Sequence, residues 1–168
     1  MIHRLYLPAA YIDAPGGPAA AESPAFRLAK LIVEYPEQCR DVLRWDHTIE
    51  SAAQMRVQQI HDRAAWHVPG QDSAHVDADG HGPNWWLREW GVTLPDGYGQ
   101  GDADNNVEAL ALGKDDPVVI LAQFLASPGH RAFLLGEGWY ERQTRIGCGA
   151  VETWEPIPQQ FIWCVLVV

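Results

Sequence analysis

The chain has 168 residues, 47% of them hydrophobic, which supports a packed core and excludes a disordered chain. Twelve basic residues stand against 22 acidic ones, a net charge of −10, and no basic run interrupts the excess. Such a surface repels phosphate backbones and anionic bilayers, so nucleic acid and anionic membrane surfaces are set aside as partners. No run of about 18 apolar residues is present, so no segment reads as a spanning helix.

Residues 1–22 are rich in Ala, Pro and Gly and read as an N-terminal arm ahead of one folded unit, residues 23–168. The opening "MIHRLYLPAAYIDAPGG" carries one early arginine and an apolar patch broken by Pro8, a poor signal peptide. Either the chain is not exported by that route or its leader is absent. Ser23-Pro24 reads as an N-cap followed by proline at the first helical position, opening the helix "AFRLAKLIVEY", which ends before Pro36. Asp46 caps a longer helix, with Glu50 near its positive end. On one face of that helix lie Ile49, Ala52, Ala53, Arg56, Val57, Ile60 and Ala64, with Arg56 the misfit.

Residues 67–83 read as a loop, followed by a short helix, "NWWLREWG", that Gly91 stops. In it Trp86 and Trp90 share a face while Trp85 points elsewhere; an exposed indole beside a cleft would suit a glycan or lipid ligand, and packing is the commoner role. A second glycine-rich loop leads to "NVEALALG", a strand. Asp116-Pro117 opens a helix with Val118, Leu121, Ala122 and Leu125 spaced for a buried face, and Ser127-Pro128 opens another that ends at Gly136.

The last two runs, "TRIGCGAV" and "FIWCVLVV", read as strands apolar on both faces and therefore covered on both sides. The expectation is an α+β fold, a three-layer α-β-α sandwich about a mainly antiparallel central sheet. If the two runs form a hairpin turning near Pro156, Cys148 and Cys164 lie opposite each other; a disulfide and two buried thiols both fit. Cys39 reads as a small buried side chain.

Ser127 as N-cap puts His130 in the first turn of a helix, where the positive end of the dipole disfavours an imidazolium. A neutral imidazole is the form that binds metal or accepts a proton. The serine's role is capping, not nucleophilic attack. "HVDADG" mimics a calcium loop, but His75 replaces the first acid and Trp86 the twelfth, so an EF-hand is rejected.

Several segments, in order, resemble the CAP superfamily: cysteine-rich secretory proteins, antigen 5 and pathogenesis-related 1 proteins, in its bacterial branch. They are Trp45-Asp46, His75, Asp79-Gly80, Arg88 and Gly91, then Val107 to Ala111, the unaltered S-P-G-H-R of Ser127 to Arg131, and Ile146-Gly147-Cys148-Gly149. The resemblance spans residues 24–168. It departs from the family where Ala109 stands for an asparagine, Phe124 for a tryptophan, and Ser127 for the glutamate of animal and plant members.

The resemblance implies a central cleft where His75, Glu108 and His130 converge and where some members hold zinc or another divalent ion. Ser127, Arg131 and Trp86 are further cleft-lining candidates. It implies a non-enzymatic, extracellular or cell-envelope domain that binds a protein, lipid or glycan partner. The rivals are a metal-dependent hydrolase using the same cleft, with Glu108 as base, and a lipid- or sterol-carrying domain.

Overall fold

The computed structural model describes residues 22–63, 74–153 and 160–168. The arm before Glu22, Ala64 and the turn near Pro156 lie outside the described residues.

Local signals set the element starts. Ser23 Oγ accepts the Phe26 N–H at 3.1 Å and opens helix α1, Pro24–Val33. A two-residue strand, β1, Arg44–Trp45, follows; it is too short to leave a periodicity in the sequence. Asp46 Oδ1 then accepts the N–H groups of Thr48 and Ile49 at 2.8 and 3.2 Å and opens α2, His47–Asp62. Helix α3 runs Pro83–Glu89, strand β2 Glu108–Gly113, α4 Pro117–Leu125 and α5 Pro128–Leu135, which Gly136 closes in the left-handed conformation. A 3₁₀ helix, Gly138–Arg142, leads into β3, Arg145–Thr153, and β4, Gln160–Val167.

Among the described residues the strands form one sheet in the order β1-β3-β4-β2, with β1 parallel to β3 and the other pairs antiparallel. Helices cover both faces, as the doubly apolar β3 and β4 require. One core joins Leu28 and Ile32 of α1, Ile120 and Phe124 of α4 and Leu134 of α5 to Cys148, Trp163 and Val165. The other joins Ile49, Ala53, Val57 and Ile60 of α2 and Leu87 of α3 to Ile162, Cys164 and Leu166. The three-layer expectation holds.

The glycines of "IGCG" have a packing reason. A Cβ on Gly147 would overlap the backbone of Ile49 and Glu50, and one on Gly149 the backbone of Ala53. Strand β3 therefore lets α2 lie against it backbone to backbone.

Three expectations are corrected. The buried face of α4 is Pro117, Ile120, Leu121 and Phe124, one residue earlier than expected, and Val118 is 57% exposed. Both registers satisfy the spacing in so apolar a helix, and the one that buries the Phe124 ring prevails. The β3–β4 register pairs Cys148 with Val165 and Gly149 with Cys164. A slip of one residue sends the two side chains to opposite faces of the sheet, so they are two separate buried thiols. Cys39 is exposed, on the stretch beyond α1, with its thiol 3.6 Å from the Glu37 carbonyl oxygen.

Candidate binding pocket

Arg56 is the residue that makes the centre of the site. It projects from the otherwise apolar face of α2, and its side chain is 3% exposed. Its Nε donates to Glu108 Oε2 at 2.8 Å, and its Nη2 to the carbonyls of Ala74 and His75 at 3.1 and 2.7 Å. Gln59 Oε1 accepts from Nη1 at 2.7 Å. One guanidinium thus pairs the strand carboxylate and pins the backbone that carries His75.

Glu108 stands at the first position of β2, an edge strand, with its side chain fully buried. His75 Nδ1 lies 2.8 Å from Oε1, and the Cys164 thiol 3.7 Å from Oε2. Burial pushes the carboxyl upward, but the Arg56 charge and the His75 hydrogen bond outweigh it and hold Glu108 below the usual range. Asn105 fixes the backbone here: its Oδ1 accepts the Glu108 N–H at 3.0 Å, and its Nδ2 donates to the Glu108 carbonyl at 3.1 Å.

A pocket of about 180 Å3 opens beside this cluster, lined by His75, Glu108 and His130 together with Asn105, Asn106, Gly129, Phe133 and Tyr140. The three residues from distant parts of the chain therefore meet at one hollow. His130 enters from the first turn of α5, half-buried, its ring edge-to-face with Phe124 at 5.3 Å between centroids. Partial burial, with a smaller push from His75, holds its pKa below the ordinary histidine value. At neutral pH the imidazole is uncharged.

The other sequence candidates lie elsewhere. Ser127 occupies the N-cap position of α5, but its side chain makes no capping hydrogen bond. Arg131 turns to Glu37 and Glu137, at 2.6 and 3.2 Å. Trp86 packs between Trp85 and Trp90, ring centroids 4.8 and 5.6 Å away, with the Arg63 guanidinium 5.8 Å from its ring. None of the three is among the pocket's lining residues. Asn105, Asn106, Phe133 and Tyr140, which do line it, carried no sequence signal. Arg56 did: a charge on an apolar helix face requires a buried partner.

Glu108 is poorly placed to be a metal ligand. Both Glu108 oxygens are already engaged, one by His75 and one by Arg56. Among the described residues, the one group of three metal-capable side chains with atoms mutually within 4.8 Å is Asp77, Asp79 and His81. His75 and His130 line the pocket, with Glu108 behind His75.

The fold and pocket define a class: an α-β-α sandwich with a histidine-lined hollow at the edge of its sheet. No protein-family model matches the chain, and no curated protein matches it in sequence. Among solved structures the chain is similar to an outer surface protein from Borrelia burgdorferi, with a TM-score of 0.60, 18% identity, and coverage of 86% of this chain and 90% of that one. At that identity the likeness concerns the fold. The CAP resemblance rests on the motifs quoted above.

Proposed function

We propose that this chain is a non-enzymatic binding domain of the bacterial cell surface or envelope, of the CAP type, with the His75–Glu108–His130 pocket as its recognition site. The fold likeness to an outer surface protein supports the location. The observation that carries the binding reading is the double engagement of Glu108, by Arg56 and His75 at 2.8 Å each. A carboxylate held in a buried ion pair below its usual pKa is a weak base, which counts against hydrolysis. Its hydrogen bond to His75 Nδ1 favours the tautomer with the lone pair on Nε2.

At about 180 Å3 the pocket is smaller than the roughly 300–1,000 Å3 of sites for drug-sized ligands. It suits a small ion or one side chain of a partner, and a sterol or lipid tail does not fit it. Zinc would be held by His75 and His130, with water or a partner's side chain completing the coordination.

The test is a crystal soaked in zinc, read with turnover assays on ester, peptide and peptidoglycan substrates. Density within about 2.0–2.2 Å of both imidazoles, with no turnover, fits the binding domain. Turnover that disappears in His130→Ala replaces it with the hydrolase.

A further inference from the structure

The loop Asp77–His81 lies outside that pocket and is built as a small cradle. Asp77 Oδ1 accepts the N–H groups of Asp79 and His81, each at 2.9 Å. The Asp77 N–H donates to the His81 carbonyl at 3.0 Å, and the Gly80 N–H to the Asp77 carbonyl at 3.1 Å. The His81 ring is stacked on Trp85, 3.7 Å between centroids and 7° from parallel. Backbone and imidazole are thus fixed by contacts that use no ring nitrogen.

Asp77 Oδ2 takes no part in this scaffold. It is buried, it accepts no hydrogen bond, and the Asp77 side chain is only 2% exposed. Arg63 Nη1 stops 3.4 Å short of it, on a side chain 43% exposed, and His81 Nδ1 is 3.8 Å away. The Arg63 contact is an ion pair without hydrogen-bond geometry, so it repays only part of the water that a buried carboxylate oxygen gives up. The Asp77 carboxyl stays ionised at neutral pH. Burial raises its pKa, but the two backbone N–H groups and the nearby His81 and Arg63 outweigh that and lower it. One donor atom from each of Asp77, Asp79 and His81 lies within 4.8 Å of the others.

We propose that Asp77, Asp79 and His81 form a binding site for a divalent transition-metal ion, independent of the His75–His130 pocket. The ion would satisfy Asp77 Oδ2. Exposed Asp79 leaves an entry path, and Arg63 is the competing cation that swings away. Two carboxylates and an imidazole suit zinc or manganese; calcium takes six to eight oxygens and gains little from a nitrogen.

The probes are Zn2+ followed by calorimetry and Mn2+ followed by paramagnetic broadening in NMR, both on the full chain. In His130→Ala, which lacks one of the pocket's two imidazoles, zinc affinity is expected to fall by more than about tenfold when Asp79→Asn or His81→Gln is added, and to tighten when Arg63→Ala is added. Mn2+ should broaden the His81 and Trp85 ring signals first, and Ca2+ should bind far more weakly than Zn2+. Asp79 is exposed, so its variant tests the site without disturbing the fold. Zinc binding in His130→Ala that is not weakened by either added loop variant, or no Mn2+ broadening at His81, overturns the proposal. Weaker binding in Arg63→Ala, or calcium binding as tight as zinc, does so too.

Discussion

Two buried arginines, in different parts of the molecule, keep their charge by different means. Arg56, between α2 and β2, meets a carboxylate. Arg40, 6% exposed, meets only neutral oxygens. Its five N–H groups go to the carbonyls of Phe133, Leu134 and Tyr140 and to the side-chain oxygens of Gln38 and Gln143, at 2.7–3.1 Å. Burial pulls the Arg40 pKa from 12.5 down to about 10, whereas Glu108 beside Arg56 is held anionic. Complete hydrogen bonding keeps a guanidinium charged at neutral pH but does not cancel its desolvation; a counter-charge cancels more. The two regions also do different work. Arg40 ties the last carbonyls of α5 to the loop after α1. Through Gln143, whose Nε2 donates to the Asn106 carbonyl at 2.7 Å, it braces the pocket's far wall. Arg56 braces the wall that carries His75.

The largest effect should come from splitting the ion pair. Arg56→Met leaves Glu108 buried without its cation and should cost about 3–5 kcal/mol in urea unfolding. Adding Glu108→Leu should recover most of that, because the orphaned charge goes with it. If the double variant is as unstable as the single one, Arg56 acts through the Ala74 and His75 carbonyls and the contrast with Arg40 collapses. Arg40→Met strands neutral acceptors only, some with other donors, since the Gly136 N–H still reaches the Phe133 carbonyl. It should cost about 1–3 kcal/mol. A larger loss than in Arg56→Met would reverse the ranking.

Acid should probe two groups of the pocket in turn. His130 has a folded pKa below its ordinary 6.5, so the unfolded chain takes up a proton first as pH falls. The stability it contributes is present above 6.5 and lost as pH falls through the lower folded value. Glu108 behaves likewise from 4.5 downward. The wild-type profile should therefore fall in two stages, and His130→Phe should flatten the first while leaving the second. A first stage that survives in His130→Phe belongs to another histidine.

Much of the fold was legible because it rests on local chemistry. The caps Ser23, Asp46 and Asp116, the stop at Gly136 and the doubly apolar β3 and β4 all act within a few residues. Strand β1 and the buried face of α4 were not legible: a two-residue strand has no period, and a helix apolar almost all round fits two faces equally well. In the pocket, His75, Glu108 and His130 were found by motif, and their meeting at one hollow is a property of the fold. The sequence marked Arg56 as a misfit without naming its partner, because Glu108 lies 52 residues away. Asn105 and Asn106 sit in a loop whose composition resembles any polar turn, so nothing separated them from it.

The smallest effect sharpens what a register can decide. Cys148 and Cys164 occupy neighbouring rungs of one ladder, close enough in sequence pattern to suggest a bridge, yet the one-residue offset puts the sheet between their side chains. Burial pushes both thiols well above the ordinary cysteine range, and carboxylate charges add to it, that of Glu50 at Cys148 and that of Glu108 at Cys164. Thiolate is the reactive form, so both should resist alkylation in the native state while exposed Cys39 reacts freely. Titration with a chromogenic disulfide at neutral pH should count one fast thiol per chain and three after unfolding in guanidinium, with no reductant added. Two thiols after unfolding would indicate a lost cysteine, and one would mean that Cys148 and Cys164 are bridged. A bridge is incompatible with the β3–β4 register, and losing that register would also turn Cys164 away from Glu108 and unmake the wall on which the pocket is built.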